Sequence, residues 1–203
     1  MRVVLLALLL VLVSGGQVLA QPYGDYYPRE FLWGISWNLG IPTGDTADYT
    51  KSYLSGRGLG LEGRKFIKPN WTLGASFSWN VLNAQKFNTI QTEDNLTISG
   101  NQRTYLNIFP LLVNAHYYLG YYGDLRPYFG LNAGAYIIEN RLEIGLYSTQ
   151  ETNWHFGVAP EIGVLLPAGR FLGFFNVRYN WTTDSGMTPE VTYWGFNLGL
   201  GLQ

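Results

Sequence analysis

The chain has 203 residues, no cysteine and a net charge of -1, with 13% charged and 16% aromatic residues. A soluble domain carries about 25% charged residues, no basic footprint points to nucleic acid, and the lack of cysteine excludes a disulfide scaffold. The length suits one domain, and the 25 glycines form no low-complexity run.

Met1-Arg2 is a short positive start, and "VVLLALLLVLV" (Val3 to Val13) is an apolar run too short for a comfortable membrane span. "VLA" (Val18 to Ala20) places small residues where a signal peptidase cuts. Residues 1–20 therefore read as a secretory signal peptide, 21–30 as a short tail and 31–203 as one β domain.

Beyond Ala20 the apolar residues recur at every second position, the signature of strands with two unlike faces. In Phe31 to Ile41, the odd positions Phe31, Trp33, Ile35 and Trp37 oppose Gly34, Ser36, Asn38 and Gly40. A glycine-rich segment follows at Ser55 to Phe66. In Asn70 to Val81, Trp71, Leu73, Phe77 and Trp79 oppose Thr72, Gly74, Ser76 and Ser78. The segment from about Arg103 to Leu119 alternates poorly and carries Pro110, which predicts a bulge or an unpaired edge. In Leu125 to Ile138, Phe129, Leu131 and Ala133 oppose Tyr128, Asn132 and Tyr136. Asn153 to Leu166, Phe171 to Trp181 and Tyr193 to Leu202 complete a set of eight.

The links between these segments alternate in length. Pro42–Leu54, Leu82–Gln102, Glu139–Thr152 and Thr182–Thr192 are long, whereas Ile67–Lys68, Gly120–Asp124 and Pro167–Arg170 are short. Nine of the 14 acidic residues fall in the long links, opposed there by Lys51, Lys86 and Arg141. Segments of about ten residues, even in number, with long links at one end and short turns at the other, predict an all-β, eight-stranded antiparallel transmembrane up-and-down β-barrel. The Phe129 face then meets lipid and the Tyr128 face lines a lumen. A soluble sandwich or lipocalin-like barrel shares the alternation, but usually turns tightly at both ends.

This plan resembles the small eight-stranded bacterial outer-membrane barrels, the group with OmpA-like, OmpX-like and OmpW-like domains, over about Phe31 to Gln203. The last strand adds a more specific match. Tyr193, Gly195, Leu198 and Leu200 fit the polar, glycine, apolar and apolar positions of the assembly signal that ends such barrels, although this chain finishes on Gln203 rather than phenylalanine. The resemblance implies a Gram-negative outer membrane, a periplasmic tail, insertion by the barrel-assembly machinery, and outer-membrane lipid and lipopolysaccharide as surroundings. It also implies a monomer with no nucleic-acid partner.

By alternation Glu62, Arg64, His155, Glu161 and Arg178 point inward, with His116 a further candidate. An eight-stranded barrel is only wide enough for its own side chains, so these charges are expected to pair as a polar plug. A gate that opens by re-pairing is the sharper reading. His116, His155, Ser76 and Ser78 are the only conceivable parts of a lipid hydrolase, and nothing in their spacing joins them. "TGDTAD" (Thr43 to Asp48) lacks the ligand density of a calcium loop, and no cofactor is predicted. The expected role is non-enzymatic: structural or surface-interacting through long acidic loops, or alternatively a narrow channel or carrier for small, apolar solutes.

Overall fold

The computed structural model describes residues 30–50, 54–93, 96–121, 123–144, 147–185 and 189–202, with the backbone alone given for 83–104 and 142–149. Residues 1–20, read above as a signal peptide, and most of 21–30, read as a tail, lie outside the described residues. Eight strands, β1 (Phe31–Pro42), β2 (Arg57–Lys68), β3 (Trp71–Glu93), β4 (Leu96–Tyr118), β5 (Arg126–Ile144), β6 (Tyr147–Ala168), β7 (Phe171–Thr182) and β8 (Thr192–Leu202), pair with sequence neighbours and close through β1 and β8. All eight ladders are antiparallel, and β1 meets β8 from Trp33↔Leu202 to Pro42↔Tyr193. A short helix, α1 (Gly44–Thr50), packs against β1, β3, β4 and β8.

The alternation sorts the side chains as the pattern requires. Trp33 is 64% and Leu131 54% exposed, while Tyr128 and Asn132 are 3% and 0% exposed. An outward face so rich in tryptophan, leucine and isoleucine has no counterpart on a soluble monomer. Aromatic pairs stand at both ends of the outward row of β3: Trp71 against Tyr117 at 5.0 Å and Trp79 against Phe109 at 6.5 Å. Such belts mark the two interfaces of a bilayer.

Two expected loops are corrected. Leu82–Gln102 and Glu139–Thr152 are largely ladder, because β3 and β4 stay paired out to Glu93↔Leu96 and β5 and β6 out to Ile144↔Tyr147. Outside lipid, strands need no apolar face, so these polar continuations lose the alternation contrast. The link Pro42–Leu54 likewise holds α1. Pro110 makes no bulge. It pairs with Tyr136, and the ladder toward β3 skips from Phe77↔Leu111 to Asn80↔Ile108 with the register kept. The missing proline N–H accounts for the local break. The short turns carry positive-φ glycines, among them Gly169 (φ 68) before β7.

Large rings fit inside so narrow a barrel only where the opposite wall recedes. Phe174 is buried between Gly34 and Gly199; a Cβ on Gly34 would stand 2.7 Å from the Phe174 ring, and one on Gly199 would overlap it. Gly199→Ala is expected to destabilise the barrel by about 1–3 kcal/mol, seen as a lower urea midpoint in micelles. Gly173→Ala, whose added carbon would meet nothing nearer than 3.6 Å, is expected to leave the midpoint unchanged.

Candidate functional site

The lumen is layered. At the short-turn end Leu32, Phe66, Tyr118, Tyr128, Leu172 and Phe174 form an apolar and aromatic floor. Toward the long-link end Leu82, Leu106, Ile108, Tyr136, Ile138 and Tyr193 form an apolar ceiling. Between them lies the only buried charge cluster seen among the described residues, contributed by β2, β4, β6 and β7.

Glu161 is its hub. Arg178 donates from Nη2 and Nε to Glu161 Oε2 at 2.8 and 3.0 Å, and Arg64 donates from Nη2 to Oε1 at 3.2 Å. Tyr128 Oη donates to Oε1 at 2.9 Å and Asn132 Nδ2 to Oε2 at 2.9 Å. Arg64 also donates to Glu62 Oε2 at 2.9 Å and to Tyr118 Oη at 2.7 Å, and its guanidinium lies 4.8 Å from the Tyr128 ring centre. Two carboxylates thus face two guanidiniums, and one phenol and one amide complete the bonding of the carboxylate that touches both. A buried carboxylate is tolerated only when it is paired and hydrogen-bonded in this way.

The structure therefore places four of the five predicted inward residues, Glu62, Arg64, Glu161 and Arg178, in one cluster. His155 is buried but stands apart, six residues up β6 from Glu161, roughly 20 Å of strand at ~3.3 Å per residue. Its Nδ1 contacts the Thr183 carbonyl at 2.8 Å. Alternation reports the face a residue points to, not its height in the barrel. His116 takes the place expected of His155, with Nε2 3.5 Å from Glu161 Oε1 and Nδ1 3.4 Å from Thr72 Oγ1. Thr72, His116 and Glu161 follow the order of a nucleophile, a base and an orienting acid. Both contacts are long, and Thr72 and His116 are each 0% exposed, so a substrate has no approach. Ser76 pairs across the ladder with Glu62 and Ser78 with Gly60, both beside a small polar cavity lined also by Ser36, Asn38 and Arg178.

Tyr118 and Arg126 escape the sequence reading. Arg126 donates to the Pro69 carbonyl at 2.8 Å and lies 5.0 Å from the Tyr118 ring centre, closing the floor. The signal that finds them is the same two-residue step, continued through Asn114, His116 and Tyr118 on one side and back from Tyr128 on the other. Of the expected assembly residues on β8, Tyr193 and Gly195 face the lumen, while Leu198 and Leu200 face lipid.

No family model matches the chain, and no curated protein does. Among solved structures, Neisserial surface protein A (NspA) aligns with a TM-score of 0.56 over 86% of this chain and 97% of its own, at 11% identity. The outer membrane protein OprG from Pseudomonas aeruginosa aligns with a TM-score of 0.50 over 85% of this chain and 95% of its own, at 14% identity. The chain has the fold of the small eight-stranded outer-membrane barrels.

Glu161 meets two guanidiniums, whereas Glu62 meets one and leaves Oε1 without a hydrogen bond among the described residues. Glu161→Gln is expected to cost about 3–5 kcal/mol, because it leaves the buried Arg178 without a carboxylate and Arg64 with Glu62 alone. Glu62→Gln is expected to cost about 1–2 kcal/mol. Urea midpoints followed by tryptophan fluorescence rank the two.

Proposed function

We propose that this chain is an outer-membrane protein whose role is to bind a partner outside the cell through a sheet that stands above the membrane. The observation that carries this reading is the unequal length of the strands. β3, β4, β5 and β6 extend through 19 to 23 residues, whereas the other four have 11 or 12. The β2 ladder ends at Arg57↔Val81 and the β7 ladder at Gly157↔Thr182. Beyond those points β3 to β6 stay paired with one another as far as Gln102↔Ile144 and Ile144↔Tyr147, β3 and β4 continue further as a hairpin, and no strand among the described residues pairs with the outer edges of β3 and β6. Leu82–Glu93 alone spans roughly 40 Å of strand at ~3.3 Å per residue. Open edges in water accept an added strand and are seldom left long without a use.

Charge suggests the partner's chemistry. Glu93, Glu139, Glu143 and Glu151 belong to these strands, opposed by Lys86, Arg103 and Arg141, and Asp45, Asp48, Asp184 and Glu190 share the same end of the barrel. A net-negative rim steers cationic segments. The packed lumen below supports a surface role over conduction, and one protein with this fold is itself called a surface protein.

A second reading is passage of small apolar solutes. It is favoured by the apolar ceiling of the lumen and by ladder breaks in the wall beside it, at Ser78–Trp79 against Phe109–Pro110 and at Ala159–Pro160 against Tyr179–Asn180.

Reconstituted in zwitterionic vesicles, the protein is expected to hold polylysine at low salt and release it as the Debye length falls toward ~3 Å at 1 M. Replacing Glu139, Glu143 and Glu151 by lysine, or excising 83–102, is expected to abolish retention while heat-dependent gel mobility still reports a folded barrel. Retention unchanged in both variants would sink the surface reading. Discrete current steps in a planar bilayer would move the assignment to transport.

A further inference from the structure

The outer wall carries a groove of about 510 Å³ at the long-link end. Such a volume falls within the ~300–1,000 Å³ typical of ligand clefts. Its residues fall into two rows fixed by register. Trp37, Leu59 and Trp79 stand side by side on β1, β2 and β3, and Arg57, Val81 and Asn107 stand two residues nearer the rim on β2, β3 and β4.

The first row is apolar and open to the surroundings, with Trp37, Leu59 and Trp79 all exposed. The second row is different. Val81 holds an outward position yet is only 7% exposed, because it forms the floor. Gly56, next to Arg57, adds no side chain to that corner, where a Cβ would stand 3.4 Å from Leu39 Cδ2 and 3.6 Å from the Trp37 indole. The two indoles bridge the rows. Trp37 Nε1 donates to the Gly56 carbonyl at 2.8 Å and Trp79 Nε1 to Asn107 Oδ1 at 3.4 Å. Amphipathic rings settle in this way at a bilayer interface, apolar body inward and N–H toward the polar layer.

Arg57 completes the site. It is exposed, and it makes no ion pair or hydrogen bond among the described residues. Asn107, its neighbour across the floor, is already turned to Glu139 Oε1 at 3.3 Å. An unpaired guanidinium at headgroup depth, directly beside an apolar groove, pairs one kind of molecule with both halves of the site. A guanidinium fork matches phosphate oxygens, and the groove takes an acyl chain.

We propose that this groove is a specific seat for a phosphorylated, acylated glycolipid of the outer leaflet, with its phosphate on Arg57 and one acyl chain lying between Trp37 and Trp79 over Val81 and Leu59. The lipid belongs to the membrane the barrel spans and meets the wall sideways. The proposal rests on the fold and orientation of the barrel and not on the protruding sheet, so either can fail without the other.

The test is native mass spectrometry of the detergent-released, folded protein titrated with bis-phosphorylated lipid A, its dephosphorylated form, a zwitterionic phospholipid and inorganic phosphate. One lipid A is expected to remain bound, the dephosphorylated and zwitterionic lipids are expected to bind at least ~10-fold more weakly, and inorganic phosphate is expected not to compete. Arg57→Ala is expected to weaken lipid A binding ~10-fold or more, with Arg57→Lys intermediate. Leu59→Trp, which fills the groove from a position that lipid already covers, is expected to weaken it as strongly while leaving heat-dependent mobility intact. Binding that survives both Arg57→Ala and Leu59→Trp would overturn the site. Loss with Arg57→Ala alone would show a charge on the wall rather than an acyl seat, and equal binding of the zwitterionic lipid would overturn the phosphoglycolipid assignment.

Discussion

The constraint behind this structure is that a wall in lipid must satisfy its own backbone and show only apolar side chains outward. Closure of β8 onto β1 meets the first demand, since every strand then has two partners through the membrane. The second sends the polar residues of a strand inward wherever its outer face meets lipid. Eight strands leave an interior only wide enough for side chains, so inward charges cannot be solvated and have to find one another. Glu161 accepting from Arg178, Arg64, Tyr128 and Asn132 is the outcome. The apolar floor around Tyr118 and Phe174 and the ceiling around Leu82 and Tyr193 keep water from that cluster at both ends. Low dielectric strengthens each bond in it and makes each missing one costly.

Because the two faces of a strand in lipid differ so sharply, the sequence shows most of the wall directly. Trp33 against Gly34 and Leu131 against Asn132 are opposites in polarity, and their exposure follows. Legibility fails wherever that contrast is lost. In β4 both faces are apolar near Pro110, since Leu112 and Ile108 fill the ceiling while Leu111 and Val113 face lipid. "TIQTEDNLTISG" lacks an apolar face, so it looks like a loop by polarity. Its threonines and isoleucines flanking Asp94-Asn95 are nevertheless the composition of a hairpin. The charge cluster is legible only in part. Alternation turns Glu62, Arg64, Glu161, Arg178 and both histidines inward. Which of them meet depends on the heights of β2, β4, β6 and β7 around the closed wall, and no spacing along the chain encodes that.

The two roles proposed above fall to the two surfaces that face outward, one toward water and one toward lipid. α1 adds to the closure. Thr192 N donates to Thr46 Oγ1 at 2.9 Å, and Tyr49 and Asn140 share a hydrogen bond, so the helix is tied both to the closing strand β8 and to β5. The protruding sheet and the groove beside Arg57 then divide the outer end of the molecule between them, with β3 common to both.

The ladder breaks explain how a protruding sheet can be held on so small a barrel. A proline lacks one N–H, and the pairing it loses lies on one side of its strand only. Pro110 loses its pairing toward β3 and Pro160 toward β7, while each stays in register with β5. β4, β5 and β6 consequently form a panel without interruption from Tyr118↔Tyr128 at the short-turn end to Gln102↔Ile144 and Ile144↔Tyr147 at the tip. Both breaks lie at its borders. The panel is thus a continuous hydrogen-bonded spine through membrane and water, and the two proline breaks of the wall lie in the seams beside it. A sheet whose strands continue those of the barrel is joined to it by backbone hydrogen bonds along three strands, and preorganisation of that kind lowers the ordering cost of binding that the surface role proposed above would carry.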